Sequence, residues 1–169
     1  MNIQDDYIHD ESDLRWSLSY AVGFHNLGMH TEALEELDTL PECWQARAEV
    51  LCLRGQIFLS QERWQDVVEH STAAAERYPS SPDFYIQAAL AYDKLDRPED
   101  ARCIWLAAPR ELRSTAFYHY NLARCETKLG HFALARQHTR TAMTLSGEIA
   151  KVVKRDPSLL FFAADPELN

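Results

Sequence analysis

Histidines are the side chains here best suited to proton transfer or metal binding, and there are seven: His9, His25, His30, His70, His119, His131 and His138. No two stand four residues apart, the spacing that sets two imidazoles over one helix face for a metal. Cys43, Cys52, Cys103 and Cys125 are separated by gaps of 9, 51 and 22, with no CxxC pair, so a zinc site is not expected. They read as free thiols in a reducing compartment, packed as small hydrophobes. The sequence has no nucleophile elbow, phosphate-binding loop or zinc-protease helix. The expectation is a chain without catalysis, cofactor or metal.

Composition narrows the remaining classes. The 169 residues are 46% hydrophobic and 25% charged, with a net charge of -9. That length buries a substantial core, and the apolar fraction is too high for a disordered chain. No run of 18 apolar residues marks a membrane span. Acidity disfavours the phosphate backbone, so no nucleic acid is expected. The first residues, Met1 to Asp6, lack the basic and apolar regions of a secretory signal, and a cytoplasmic location is the expectation.

The elements that would carry any function are set by an internal period. Lys128 to Ala135 resembles Asn26 to Ala33, Lys94 to Ala101 and, more weakly, Ser60 to Val67. Their final residues fall at 33, 67, 101 and 135, which divides the chain into copies 14–47, 48–81, 82–115 and 116–149. Position 8 of the copy is small each time (Ala21, Gly55, Ala89, Ala123), and position 20 is Ala33, Val67, Ala101 and Ala135. Position 27 holds Leu40, Ala74, Ala108 and Ala142, while position 11 is aromatic in Phe24, Phe58 and Tyr92 but is Glu126 in the last copy.

Each copy reads as two helices joined by a short turn. Phe84, Ala88, Ala91 and Leu95 form one apolar stripe of a first helix, and Tyr85, Ala89 and Tyr92 a second. Two stripes on one helix place it between neighbours. His119 falls in such a packing column and is expected to be a satisfied core histidine. Asp96 with Glu99 makes a capping-box pattern, Ser81 precedes Pro82 at a helix start, and Gly147 is expected to stop the last second helix. Pro41, Pro79 and Pro109 fall near the ends of second helices.

This pattern resembles the tetratricopeptide repeat (TPR) family over residues 14 to 149. The small residue at position 8, the aromatic at 11, Gly28 and Gly130 at the turn and Ala33, Ala101 and Ala135 carry the likeness, with Trp64 and Phe132 just inside second helices. The resemblance implies an all-α, right-handed superhelical solenoid with a C-terminal capping helix. Residues 1–13, with five acids, read as an acidic arm, and residues 150–169 as the cap and tail. In the tail, Asp156-Pro157 reads as a helix start, and the apolar run Leu159 to Phe162 is expected to fold back on the last copy.

By the same resemblance, first helices line a concave groove. Positions outside the packing stripes would face it: Leu18 and Val22 in the first copy, Leu53 and Gln56 in the second. The third supplies Ile86, Gln87, Leu90 and Lys94, and the fourth Phe117, Tyr120, Asn121, Arg124 and Lys128. Such a track suits an extended peptide or amphipathic helix, its apolar residues anchoring and its polar ones fixing register. Leu18, Val22 and Leu53 occupy positions where the family's carboxylate clamp needs polar or basic groups, so that mode is not expected. Charge runs from -5 over residues 1–13 to +2 over 116–149, where Arg124 and Lys128 could grip an acidic segment.

The leading expectation is a protein-binding scaffold or adaptor for a protein or peptide partner. The alternatives are a secretion-type chaperone, since bacterial type III translocator chaperones are similar in length and acidity, or self-association into a homo-oligomer through the end repeats.

Overall fold

Four residues spaced 34 apart, Gly28, Glu62, Asp96 and Gly130, hold the left-handed backbone conformation in the computed structural model, with φ of 76°, 56°, 54° and 75°. Each follows a first helix and reverses the chain. The next residues, Met29, Arg63, Arg97 and His131, donate their N–H groups to the carbonyls of Phe24, Phe58, Tyr92 and Glu126 at 2.9, 3.0, 2.9 and 2.8 Å. This is a Schellman closure, which satisfies carbonyls that a helix end leaves without partners. Glycine adopts that conformation freely, whereas at Glu62 and Asp96 it costs roughly 1–2 kcal/mol.

The structure describes residues 11–163, and among them the regular elements are all α-helices. They are α1 (Glu11–Asn26), α2 (His30–Asp38), α3 (Glu42–Gln45), α4 (Ala48–Ser60), α5 (Trp64–Arg77) and α6 (Pro82–Lys94). Then follow α7 (Pro98–Ala107), α8 (Arg110–Arg113), α9 (Ala116–Lys128), α10 (Phe132–Leu145), α11 (Gly147–Val153) and α12 (Leu160–Ala163). From α4 on, first helices start at 48, 82 and 116, and second helices start at 30, 64, 98 and 132. The expected acidic arm lies outside the described residues up to residue 10, and Glu11 to Asp13 form the first turn of α1.

Two short helices were not foreshadowed by the 34-residue period. Pro41 caps α3 and Pro109 caps α8, 68 residues apart, each where the second helix breaks off early. Proline loses nothing at such a position, because the N–H it lacks has no helical partner there. Leu112 turns into the core from α8, and Trp44 packs inward from α3. The intervening second helices, α5 and α10, run for 14 residues without interruption. The chain therefore alternates short and long second helices.

Two capping expectations are corrected. Asp96 does not cap α7; it is the left-handed residue after α6, and α7 starts from Arg97 without a side-chain cap bond. Gly147 does not stop α10 but opens α11, whose cap is Ser146: its hydroxyl accepts from the Ile149 N–H at 3.3 Å. Ser81 does precede α6 with Pro82 in the first turn.

The described residues fall into two compact units, those up to Arg63 and those from Trp64 on. In the first, Leu14, Ala21, Ala33, Leu37, Val50 and Ile57 form the core. In the second, Ala101, Trp105, Tyr118 and Leu122 build one cluster, and Ala123, Ala135, Val153, Leu159 and Phe162 another. The small columns at positions 8, 20 and 27 are buried in every copy, as close helix approach requires. The tail run divides: Leu159 and Phe162 pack inward, while Leu160 and Phe161 stay exposed. Burying each inward side chain contributes about 1.5–3 kcal/mol.

Candidate functional site

In the second unit, α6, α9 and the turn after α11 are joined by a line of alternating charges. Lys128 Nζ lies 2.9 Å from Asp93 and 3.4 Å from Asp96. Arg124 bridges Asp93 at 3.1 Å and Asp156 at 3.3 Å. The Tyr120 hydroxyl donates to Asp156 at 2.7 Å, and the Arg124 guanidinium lies 5.8 Å from the Tyr120 ring centre. Burial, helped by the bond to Asp156, pushes the Tyr120 phenol up to about 12. Burial alone would raise the Asp156 carboxyl, but bonds from Ser158 and Tyr120 and the charge of Arg124 outweigh it, and the group sits below its usual range. The bond to Asp93 raises Lys128. Arg124 and Lys128, read from sequence as a grip for acidic segments, are thus already engaged with the chain's own carboxylates.

Beside this line lies an open cleft of about 570 Å³, lined by Tyr120, Arg124, Glu148, Lys151, Val152, Arg155, Asp156 and Pro157. Its apolar surfaces are the Tyr120 ring, Pro157 and the exposed side chain of Val152. Lys151 is paired with Glu148 at 2.7 Å. α11 forms one wall because Val153, its inward residue, packs with Ala123 of α9 and Ala135 of α10. Asp156 fixes the other end: its carboxylate accepts from the Ser158 N–H at 2.9 Å and hydroxyl at 2.6 Å, which turns the chain so that Leu159 enters the core.

The residues expected along the groove are placed differently from one another. Tyr120, Arg124 and Lys128 come together around Asp93 and Asp156. Phe117 is exposed, its ring edge-on to Trp105 at 6.0 Å. Ile86 is half-buried and packs on the core, Leu90 is half-buried, and Lys94 is exposed with Nζ 5.8 Å from the Trp64 ring centre. Gln87 is buried and accepts from the Ser71 hydroxyl at 3.0 Å, while Asn121, also buried, donates to the Phe117 carbonyl at 2.9 Å. In the first unit Val22 and Gln56 are exposed, Leu18 is half-buried against the core, and Leu53 is enclosed in it at 6% exposure. The side chains of Leu53, Gln87 and Asn121 are taken up by the packing of their own units.

Sequence reasoning missed Val152, Lys151 and Arg155, because α11 reads as a cap whose polar side meets only solvent. The pattern that could have exposed them is Asp156-Pro157, which follows α11 and whose aspartate is tied to Arg124 and Tyr120 of α9.

A second polar cluster lies behind α9. Glu126 is fully buried, with Arg102 Nε at 2.6 Å and His131 Nδ1 at 2.7 Å. Burial pushes its carboxyl up, but the bonds from Arg102 and His131 dominate and hold it below the usual range. His119 Nδ1 lies 2.9 Å from His138 Nδ1, so His119, half-buried rather than in the core as expected, is satisfied by a second imidazole. Burial raises the Cys125 thiol to about 12, which leaves it un-ionised at neutral pH. Among the described residues no group of three or more His, Cys, Asp or Glu side chains could hold a metal ion. No described helix is long and apolar enough to cross a membrane.

No family model matches the sequence, and no curated protein matches it either. In fold, the chain is similar to the solved structure of a MamA RS-1 ArsTM double mutant, with a TM-score of 0.69 and 18% identity. The match covers 88% of this chain and 81% of the other. MamA contains TPR motifs, and the fold here is all-α and TPR-like.

Proposed function

We propose that this chain is a non-catalytic interaction scaffold that holds a segment of a protein partner on the first helices of its second unit, with the α9–α11 cleft as the principal seat. What carries the reading is that the cleft combines apolar surface on Val152, Tyr120 and Pro157 with the cation of Arg155, beside the Lys151–Glu148 pair, in a TPR-like fold. An apolar anchor beside charged groups that set register suits a short segment with one bulky side chain and nearby carboxylates. Within the second unit, Leu90, Phe117, Ile86 and Lys94 would extend the contact. The proposed setting is the cytoplasm, where Cys43, Cys52, Cys103 and Cys125, none of them in a disulfide, stay reduced.

The experiment is selection of binders from a random peptide display library on the immobilised full chain, followed by affinity measurement. Val152→Glu with Arg155→Glu changes exposed groups only and should weaken selected peptides at least tenfold while helical content is unchanged. Undiminished binding would move the site elsewhere.

One observation favours a second reading, self-association. Phe161 is 86% exposed, and its ring stands edge-on to Phe162, which in turn lies 6.3 Å from exposed Phe132. Light scattering of the full chain against Leu160→Ser with Phe161→Ser tests it: a drop in mass supports association through this patch, and equal masses remove it.

A further inference from the structure

We propose that His119 and His138 form an acid-sensitive clasp that fastens α10 to α9 while the two imidazoles share one proton, and that releases the wall of the candidate cleft when both become charged. The Nδ1 atoms are 2.9 Å apart, the ring centres 5.1 Å apart, and the ring planes 25° from parallel. Both nitrogens therefore lie close to the line between the ring centres, as in a straight N–H···N hydrogen bond. That bond needs one protonated Nδ1 and one bare lone pair. Two imidazolium rings would set two N–H groups and two positive charges head to head in a half-buried site, and the contact would break.

The surrounding charges do not relieve this conflict. From α7, Arg102 disfavours the charged form of His138, while Glu126 on α9 favours it. Glu126 is itself engaged by Arg102 and by His131 at the start of α10. Tyr118 lies edge-on to His119 at 5.2 Å and feels Arg113 of α8. Glu148 and Lys151 of α11 pair with each other at the surface, and the Leu160, Phe161 and Phe162 rings and chains of α12 carry no charge. Burial holds both histidines below their ordinary range, as the geometry requires of a pair that stays neutral near pH 7. With folded values depressed, the clasp is intact above the ordinary histidine value and its contribution falls as pH drops below it.

The consequence for the cleft follows from packing. α10 carries α11 and α12 through the core of Ala135, Val153, Leu159 and Phe162, and α11 with the turn after it supplies Val152, Arg155 and Asp156 to the cleft. Loosening α10 loosens that wall. This last step rests on the binding reading above; the clasp itself does not.

The test is local, because His25 in the other unit is also depressed, by burial and by His30, and would blur a whole-chain melting curve. Hydrogen exchange of α10 in the intact chain is followed at pH 7.5 and 5.0, corrected for intrinsic rates, in the native sequence and in His138→Asn. Asparagine sets an amide where Nδ1 stood, so it can donate to His119 but cannot take up the proton. The expected result is a several-fold loss of α10 protection at pH 5.0 in the native chain and a clearly smaller loss in the variant. Equal losses in both overturn the clasp. Should the variant fail to fold, nitrogen-15 NMR of the native imidazoles decides: one protonated and one bare Nδ1 at pH 7.5 supports the pair, and two Nε2-protonated rings overturn it. No partner enters either measurement, so failure here leaves the binding reading standing.

Discussion

Glu126 Oε1 receives a hydrogen bond from Arg102 Nε at 2.6 Å, joining the last turn of α9 to α7 at the position where earlier copies carry an aromatic ring. A buried carboxylate in an aromatic column is tolerated because both its oxygens are used, Oε2 by His131. Such a pair gives little net stability over apolar packing, but removing one partner leaves an uncompensated buried charge.

Arg102→Met should therefore destabilise the chain by about 3 kcal/mol, lowering Tm by roughly 6–12 °C at this chain length. The loss should shrink in acid. With Arg102 gone, His131 alone opposes the upward push of burial on the Glu126 carboxyl, so it protonates at higher pH than in the native chain and the buried charge is then removed. Calorimetry at pH 7 and pH 4.5 checks both statements.

At the four turn residues, glycine is free and other residues pay. Gly130→Ala should cost roughly 1–2 kcal/mol, since the conformation is left-handed and the space around a new Cβ is open. Glu62→Gly should instead stabilise, by about 0.5–1 kcal/mol, because relief of the left-handed strain exceeds the added freedom of the unfolded chain. Urea denaturation of both variants gives the signs directly.

Asp156 ties the end of α11 to α9 through Arg124 and Tyr120, and its folded carboxyl is held below the usual value. Its contribution is complete above the ordinary aspartate range and is lost as pH falls through the depressed folded value. Asp156→Asn should lower stability at pH 7 by about 1–2 kcal/mol and flatten the acid limb of the stability curve. Thermal melts from pH 7 to pH 3 follow it.

The helical hairpins were legible because the residues that fix them are punctuated by size: Ala33, Val67, Ala101 and Ala135 sit where two helices touch, and all four are fully buried. Gly28 and Gly130 announced their turns, whereas Glu62 and Asp96 hold the same conformation without a glycine to mark it. Asp96 shows the ambiguity well, since aspartate three residues before glutamate satisfies a capping pattern and also tolerates the left-handed region. The short helices α3 and α8 escaped because four residues carry no periodicity. Groove assignments were weakest where one helix has neighbours on several sides: Leu53, Gln87 and Asn121 lie at positions the pattern assigned to the open face, yet each is enclosed. Arg124 and Lys128 could be read as basic, but their engagement with Asp93 and Asp156, 31 and 32 residues away respectively for Arg124, is a tertiary fact.

The most direct measurement is NMR mapping of a library-selected peptide on the isotope-labelled full chain. Binding through the α9–α11 cleft predicts the largest shift changes at Tyr120, Val152 and Arg155, diminishing toward α5. Changes confined to Phe132 and Phe161, or to α1, with the cleft silent would contradict it.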